Sequence, residues 1–241
     1  MLVEKRKEEL RELANRFGHA LKNPELLNKA LTHKSYANEN QLLRLKDNER
    51  FEFLGDSVID LIVSRYLVHQ KLDMSEGELS KIRAQIVNEQ SLAGFARDID
   101  LGQYMLLGKG EEASGGREKN SLLSNTFEAV IAALFVDSSF ADVYQMFLSL
   151  YRSPIDKITE EKRITDYKGQ LQKHCQSRIL AKPQYRLISE NGPDHSKVFK
   201  IQAFILGEPY GIGMGKTKKE AEQAAARISY DSLMARNKQT V

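Results

Sequence analysis

The chain has one cysteine, Cys175, among 241 residues, which excludes an intrachain disulfide and a zinc site built from several cysteines. It also lacks a run of eighteen apolar residues, the length that a membrane-spanning helix requires. The N-terminal stretch MLVEKRKEELRELANRFG carries both charges and no apolar centre, so we expect neither a signal peptide nor an anchor. These absences favour a cytoplasmic protein with no membrane partner.

Charge is divided unevenly along the chain. Residues 1–153 carry 20 Lys and Arg against 23 Asp and Glu, a net charge of −3, whereas residues 154–241 carry 16 against 10, a net charge of +6. The hydrophobic content of 41% is enough for a packed core, and the length fits one large or two small domains. A negatively charged partner would therefore be expected to meet the last third of the chain.

The segment 48–57, NERFEFLGDS, concentrates carboxylates on one face of a predicted helix. Glu49, Glu52 and Asp56 are spaced i, i+3 and i+7, so their side chains stack over two turns. A solvated acidic stripe is the ordinary interpretation. The apolar run that follows favours burial instead, and Gly55 weakens a helix unless another element approaches closely there. Buried acids need partners, and a cation among them would supply one.

A second predicted helix, residues 121–136, carries one charged residue, Glu128, with Asn125 one turn before it. The two side chains share a face and offer oxygen ligands in one direction. If this helix packs on the first, it brings Asn125 and Glu128 to Glu52 and Asp56. An all-oxygen set suits Mg²⁺ or Mn²⁺ and does not suit zinc.

From residue 23 to residue 136 nearly every segment has helical periodicity, which predicts an all-α domain. The stretch 108–120, GKGEEASGGREKN, is rich in glycine and charge and is predicted to be a loop. Two interpretations of it are equally good. Its Lys109, Arg117 and Lys119 contact phosphates near the acidic helices, or the stretch is a flexible connector.

The pattern changes after a charged segment interrupted by Pro154, which we interpret as a linker over residues 151–164. Beyond it the sequence predicts a helix, three strands and a long Ala-rich helix, in the order α-β-β-β-α. The predicted bounds are 166–179 for the first helix, 183–190 and 197–206 for two strands, a third strand ending at Gly213, and 217–235 for the last helix.

Thr217 and Glu220 form a T-x-x-E capping box, which fixes the start of the last helix and leaves N–H groups pointing outward. Lys216, Lys218 and Lys219 surround this positive helix end. Solvated helix charge is the ordinary interpretation of such lysines. Three of them around one capped terminus favour an anion site for phosphates.

The NERFEFLGDS segment closely resembles the signature of the bacterial ribonuclease III family. Four further blocks are similar to that family in the same order: LTHKSYANE, GELSKIRAQIV, LGKGEEASGGREKNSLLSNTFEA and GMGKTKKEAEQAAA. The resemblance implies an all-α endonuclease domain, residues 1–150, followed after the linker by a small α+β double-stranded RNA-binding domain, residues 165–236.

The resemblance also implies the reaction, which is metal-dependent hydrolysis of both strands of double-stranded RNA, leaving 5′-phosphates and short 3′ overhangs. It implies Mg²⁺, for which Mn²⁺ substitutes, a homodimer with one site for each strand, no DNA substrate, and roles in ribosomal and other RNA processing. Glu52, Asp56 and Glu128 become metal ligands, with Asp56 and Glu128 central to catalysis. Glu49 becomes an accessory acid nearer the substrate.

In the RNA-binding domain, the resemblance places Gln170 of the first helix in one minor groove of the duplex. The loop 191–197, which carries His195, enters the next, and the lysines at the last helix meet the phosphates between them. His33 in the LTHKS block receives a structural role and no catalytic one.

The departure from the family pattern is Asn125, where an aspartate is usual. An amide keeps the shape and one carbonyl oxygen but removes a negative charge, so metal affinity should fall. Three accounts stay open. Asn125 belongs to an active lineage, or it is an engineered change that leaves substrate uncut, or the protein binds duplex RNA as a dimer and regulates without cleaving.

Overall fold

The structure is a computed structural model that describes residues 2–43, 45–71, 74–193 and 197–238. The chain divides into two compact units, Met1–Ile158 and Thr159–Val241, and each is described by itself. Among the described residues no helix combines the length and the apolarity needed to cross a membrane.

The first unit is helical, which confirms the predicted all-α class. Its β structure in the described residues is one parallel bridge between Thr32 and Leu106. Short 3₁₀ turns occupy Gln41–Leu43, Leu101–Tyr104 and Gly116–Glu118. The helices are α1 Glu4–Arg16, α2 Pro24–Ala30, α3 Lys34–Glu39, α4 Glu49–Gln70, α5 Glu76–Ile86, α6 Glu89–Asp98, α7 Lys109–Ala113, α8 Asn120–Asp137 and α9 Phe140–Thr165.

Helix α8 is the centre of the core. It is apolar around most of its circumference, and from Phe127 to Leu134 every side chain except Glu128 is buried. Phe127 packs edge-on against Tyr151 of α9, with ring centroids 5.5 Å apart, and Tyr151 stacks at 4.4 Å on Phe95 of α6. Because these large rings fill the interior, α8 is held rigidly and Glu128 has a fixed position.

Helices α4 and α8 meet at Gly55, the glycine that the sequence marks as a point of close approach. A Cβ atom built on Gly55 would overlap the carbonyl group of Glu128. The absence of a side chain therefore lets the two backbones touch beside the acidic residues. The prediction that something approaches this position is confirmed.

The carboxyl end of α8 is tied to the connection between α1 and α2. Asp137 is buried and accepts hydrogen bonds from the backbone N–H groups of Lys22 and Asn23, each 2.8 Å long, and lies 2.8 Å from Nε2 of His19. Burial alone would raise the pKa of Asp137, but these contacts outweigh it and hold the pKa below its usual value. The charged carboxylate thus stabilises the packing of α8.

Helix α9 is longer than the sequence predicts. Pro154 lies inside it, and the helix continues to Thr165 through the segment interpreted as a linker. Buried Tyr151 and Ile155 flank the proline and pack against the core. Tertiary packing therefore offsets the missing backbone hydrogen bond. The sequence does not predict this continuous helix, and the domain limits stay predictions.

The second unit has the predicted order α-β-β-β-α. It comprises α10 Tyr167–Arg178, β1 Gln184–Asn191, β2 Val198–Ile205, β3 Glu208–Gly215 and α11 Lys218–Lys238. The sheet is antiparallel in the order β1-β2-β3. As the alternation in β2 predicts, Ile201, Ala203 and Ile205 are buried.

Strand β3 lies unusually close to α11. A Cβ atom at Gly213 would overlap the backbone of Ala221 and Ala225, so no larger residue would fit at this strand position. This contact fixes where α11 begins, and with it the lysines around its first turn.

Candidate active site

A pocket of about 470 Å³ lies between the first turns of α4 and the first half of α8. All five acidic-site residues predicted from the sequence line it: Glu49, Glu52, Asp56, Asn125 and Glu128. Six further residues complete its wall: His33, Lys34, Asn48, Phe53, Leu122 and Thr126. The structure therefore brings the two predicted groups of oxygen ligands together at one opening.

The α4 side of the pocket is a ladder of carboxylates. Glu49 is the first residue of the helix, exposed, and its Oε1 lies 3.2 Å from Nζ of Lys34. Glu52 is partly buried, and burial followed by the charge of Glu49 raises its pKa. A hydrogen bond from Asn125 opposes that rise. In this contact the amide N–H of Asn125 is the donor and the carboxylate of Glu52 the acceptor.

The α8 side contributes Glu128, whose environment is the most unfavourable to charge in the pocket. Burial, and then the negative charges of Asp56 and Glu52, raise the pKa of Glu128 to about 7. Burial is the larger cause, and the charges of neighbouring acids add to it. A bound cation would remove this penalty.

The chemistry of the donor set fits a hard divalent cation, because every candidate ligand is an oxygen. The described residues nevertheless contain no group of three or more His, Cys, Asp or Glu side chains arranged to hold a metal ion as they stand. The acids line the pocket without closing around a point.

Two residues of the LTHKS block, His33 and Lys34, also line the pocket, which the sequence does not predict. His33 and Lys34 follow α2 directly and lie beside Glu49 in the pocket lining. The backbone N–H of Asn48 binds the carbonyl of Thr32 at 3.0 Å, which fixes this segment at the start of α4. The signal was present in the LTHKS block, whose polar residues follow an apolar helix, but spacing alone does not place it at the pocket.

The segment 108–120 is ordered rather than a loop, so that prediction is wrong. Arg117 donates to the carbonyl oxygens of Gly102 and Met105, at 2.6 and 3.0 Å, and pairs with Glu112. Lys119 pairs with Glu111. Both cations bind the protein's own acceptors, whereas Lys109 is exposed and makes no ion pair among the described residues.

The start of α11 has the predicted cap in a modified form. The hydroxyl of Thr217 accepts the N–H of Glu220 at 3.1 Å, and the carboxylate of Glu220 accepts the N–H of Lys216 at 2.9 Å. The capping box expected from the sequence would use the N–H of Thr217 as the second donor. Lys216, Lys218 and Lys219 are all exposed around this end. The arrangement leaves cationic side chains at the positive end of a helix dipole.

The structure describes only one of the other two predicted RNA contacts. Gln170 lies on α10 and is half-buried. His195 lies outside the described residues. Strands β1 and β2 flank the segment that carries it.

Comparison with known proteins agrees with both units. A family model described as ribonuclease-III-like matches residues 23–155, and one described as double-stranded RNA binding motif matches residues 167–233. Ribonuclease 3 of Oceanobacillus iheyensis is 44% identical over 93% of this chain and 98% of its own length. Ribonuclease 3 of Streptococcus pneumoniae is 46% identical over 89% and 92%. The solved nuclease domain of ribonuclease III from Campylobacter jejuni is 40% identical, with a TM-score of 0.56, over 60% of this chain and 96% of that domain.

A helical nuclease domain followed by a double-stranded RNA-binding domain defines the class of protein. The chain belongs to the ribonuclease III family. It is an endoribonuclease that acts on double-stranded RNA.

Proposed function

We propose that the protein hydrolyses both strands of duplex RNA with Mg²⁺, for which Mn²⁺ substitutes, leaving 5′-phosphates and short 3′ overhangs. Glu52, Asp56, Asn125 and Glu128 would hold the cation, with Asp56 and Glu128 central to catalysis. The observation that carries this proposal is the single pocket to which α4 and α8 contribute all these oxygens. Gly55 makes that convergence possible.

Divalent cations, when bound, lower the pKa of the attacking water and stabilise the leaving 3′ oxygen. The side chains of the pocket have separate tasks. The raised pKa of Glu128 means that a cation must compete with a proton near neutral pH. We propose that Glu49, which is exposed and paired with Lys34, contacts the substrate, and its exposure supports this role.

We extend the proposal to a homodimer. On α4, Phe53, Leu61 and Val68 form a stripe beside the pocket, with exposed fractions of 80%, 55% and 54%. Such an apolar stripe is typical of an interface, and a two-fold pair would give one pocket for each strand. The Campylobacter jejuni nuclease domain is described as structurally flexible in a region involved in its dimer formation.

Phe53→Glu places a charge in this stripe and should therefore yield monomers in sedimentation. Leu206→Glu replaces an exposed apolar residue of the second unit by the same charge and should not.

For the second unit we propose that Lys216, Lys218 and Lys219 contact duplex phosphates, as their exposure at one capped helix end favours. Gln170 and His195 remain proposed contacts that the family resemblance alone supports. Processing of ribosomal and messenger RNA and the absence of a DNA partner have the same basis, whereas a cytoplasmic location with no membrane partner is proposed from the composition of the sequence.

The test is incubation of the full chain with a labelled RNA duplex in Mg²⁺, in Mn²⁺ and in EDTA. The proposal predicts staggered cuts in both strands with either metal and none in EDTA. Glu128→Gln removes the ionised ligand while keeping its shape, and should abolish cleavage while duplex retention in a gel persists. Retention without products by the unaltered protein would favour the alternative, a duplex-binding regulator impaired by Asn125.

A further inference from the structure

The pocket contains a histidine, His33, to which the proposed reaction gives no role. Its ring is half-buried and lines the pocket with Glu49 and Glu52. One edge of the ring is engaged by Ser35. The backbone N–H of Ser35 lies 3.3 Å from Nδ1 of His33, and the Ser35 hydroxyl oxygen lies 2.8 Å from the same atom.

These contacts define the tautomer of the ring. A backbone N–H can only donate, so Nδ1 must offer a lone pair to Ser35. The Ser35 hydroxyl accepts the N–H of Gly108 at 2.9 Å, which leaves its own proton for Nδ1. The single proton of a neutral imidazole therefore lies on Nε2. Burial lowers the pKa of His33, which keeps the ring neutral at pH 7.

The Nε2 edge has no protein acceptor among the described residues, and it is not sealed off. Among the described residues, the fully buried side-chain polar atom that lacks a hydrogen bond is the hydroxyl of Tyr185, in the second unit. Since Nε2 of His33 is not such an atom and has no partner, it must be accessible to solvent. The pocket is otherwise rich in acceptors that repel a phosphate. His33 and Lys34 add N–H donors to the lining of this acidic pocket.

We infer that His33 donates its Nε2–H to a phosphate oxygen of the RNA strand being cut. This inference rests on the proposed function of the pocket and adds a substrate contact to it. Ser35 and Gly108 act through His33 by fixing the ring, so they are positioning groups. A neutral donor suits the place, because an additional fixed positive charge would compete with a cation for the same acids.

Two substitutions separate this role from simple helix capping. Asparagine offers an acceptor where Nδ1 lies but has no group at the Nε2 position, and glutamine offers an N–H near Nε2 but no cap for Ser35. His33→Asn should lower kcat by about 100- to 1,000-fold, the usual cost of one lost donor to developing charge, with little change in KM. His33→Gln should recover most of that loss. A capping role alone predicts the reverse order, and that result would overturn the inference.

Two controls accompany the kinetics. His69→Asn changes an exposed histidine on α4 outside the pocket and should leave kcat unchanged. Mn²⁺ affinity should be the same in His33→Asn and the unaltered protein. A matching loss of Mn²⁺ affinity would show that His33 acts on the metal ligands instead of the RNA.

Nitrogen NMR of the imidazole tests the tautomer without relying on cleavage. The ¹⁵N shifts should show an unprotonated Nδ1 and a protonated Nε2 at pH 7, and the Nε2 resonance should move when uncut duplex RNA is added in EDTA. A proton on Nδ1, or an Nε2 resonance indifferent to duplex, would contradict the inference. If the unaltered protein cuts no RNA, the proposed function fails, and these spectra still decide the role of His33.

Discussion

At the scale of residues, the pocket is governed by an excess of negative charge. The raised pKa values of Glu52 and Glu128 share one first cause, burial, and then the charges of neighbouring acids. Asn125 moderates this by donating to Glu52, something that an aspartate could not do. The amide thus stabilises the metal-free pocket at the expense of one ligand charge.

Asn125→Asp should reverse that balance. We expect cleavage at limiting Mg²⁺ to rise on the order of 10-fold, because a full charge is restored to the ligand set. The same change should lower the thermal stability of the metal-free protein, since Glu52 gains a repulsive neighbour. Activity is measured across a Mg²⁺ titration. Gln145→Glu adds an equal charge on α9 outside the pocket, and it should change neither the cleavage at limiting Mg²⁺ nor the thermal stability. Unchanged Mg²⁺ dependence would mean that position 125 does not contact the cation.

Asp137 gives a prediction about pH. Its pKa is lowered in the folded protein, so the charged form stabilises the fold above the unfolded pKa, and that contribution is lost as pH falls through the folded value. Asp137→Asn should cost about 1 to 2 kcal/mol at pH 7, the usual cost of weakened hydrogen bonds to a buried acceptor. The difference in free energy of unfolding between the variant and the unaltered protein should become smaller below about pH 4. Urea unfolding at several pH values measures it, and a difference independent of pH would contradict this account.

At the scale of elements, the pair α4 and α8 was predictable and their surroundings were not. Spacing placed Glu52, Asp56, Asn125 and Glu128 on faces, and Gly55 marked the contact. The strands and helices of the second unit were also found to within two or three residues, because alternation and caps are local signals.

The segment 108–120 was missed because its order comes from distant partners. The five-residue helix α7 begins where the side chain of Glu39 accepts the N–H of Lys109 at 3.0 Å, and Arg117 binds carbonyls of another turn. Sequence composition carries no record of such contacts. The same limit hid His33 and the continuation of α9 through Pro154, both of which depend on tertiary packing.

Gly55→Ala tests the helix pair. The added methyl group would overlap the backbone of Glu128, so the helices must separate, at a cost of about 1 to 3 kcal/mol. Cleavage should fall as well, because the two halves of the pocket move apart. Gly94→Ala in α6 is the matched control, since nothing lies near its added methyl group and it should raise stability by about 0.5 to 1 kcal/mol. Thermal unfolding of both variants measures the change in stability at each site. If the two substitutions changed stability equally, the close contact at Gly55 would be refuted.

At the scale of the whole molecule, charge is segregated between a nuclease unit of excess acid and an RNA-binding unit of excess base. The two units would therefore attract different ligands: the acidic pocket attracts cations, and the basic unit attracts duplex RNA. The pattern was visible in the sequence. The exposed stripe of Phe53, Leu61 and Val68 was not, because its exposure becomes apparent only once the helices are packed.

Removing the three lysines at the start of α11 tests the basic unit. The triple change to alanine should weaken duplex binding equally for all sequences and reduce the slope of log affinity against log salt by about 2 to 3, near 0.9 per lost phosphate contact. Filter binding across a salt series measures it. A control removes the same charge from three lysines of the first unit, Lys5, Lys22 and Lys81. A slope that falls equally in the control would show that net charge alone matters.

The central claim is that oxygens from α4 and α8 hold a divalent cation in one pocket. A crystal of the protein soaked in Mn²⁺ tests it most directly, through the anomalous signal of the metal. We predict a peak in contact with Asp56 and Glu128 that disappears in Glu128→Gln. A peak elsewhere, or a pocket that stays empty while duplex RNA is still cut, would contradict the account.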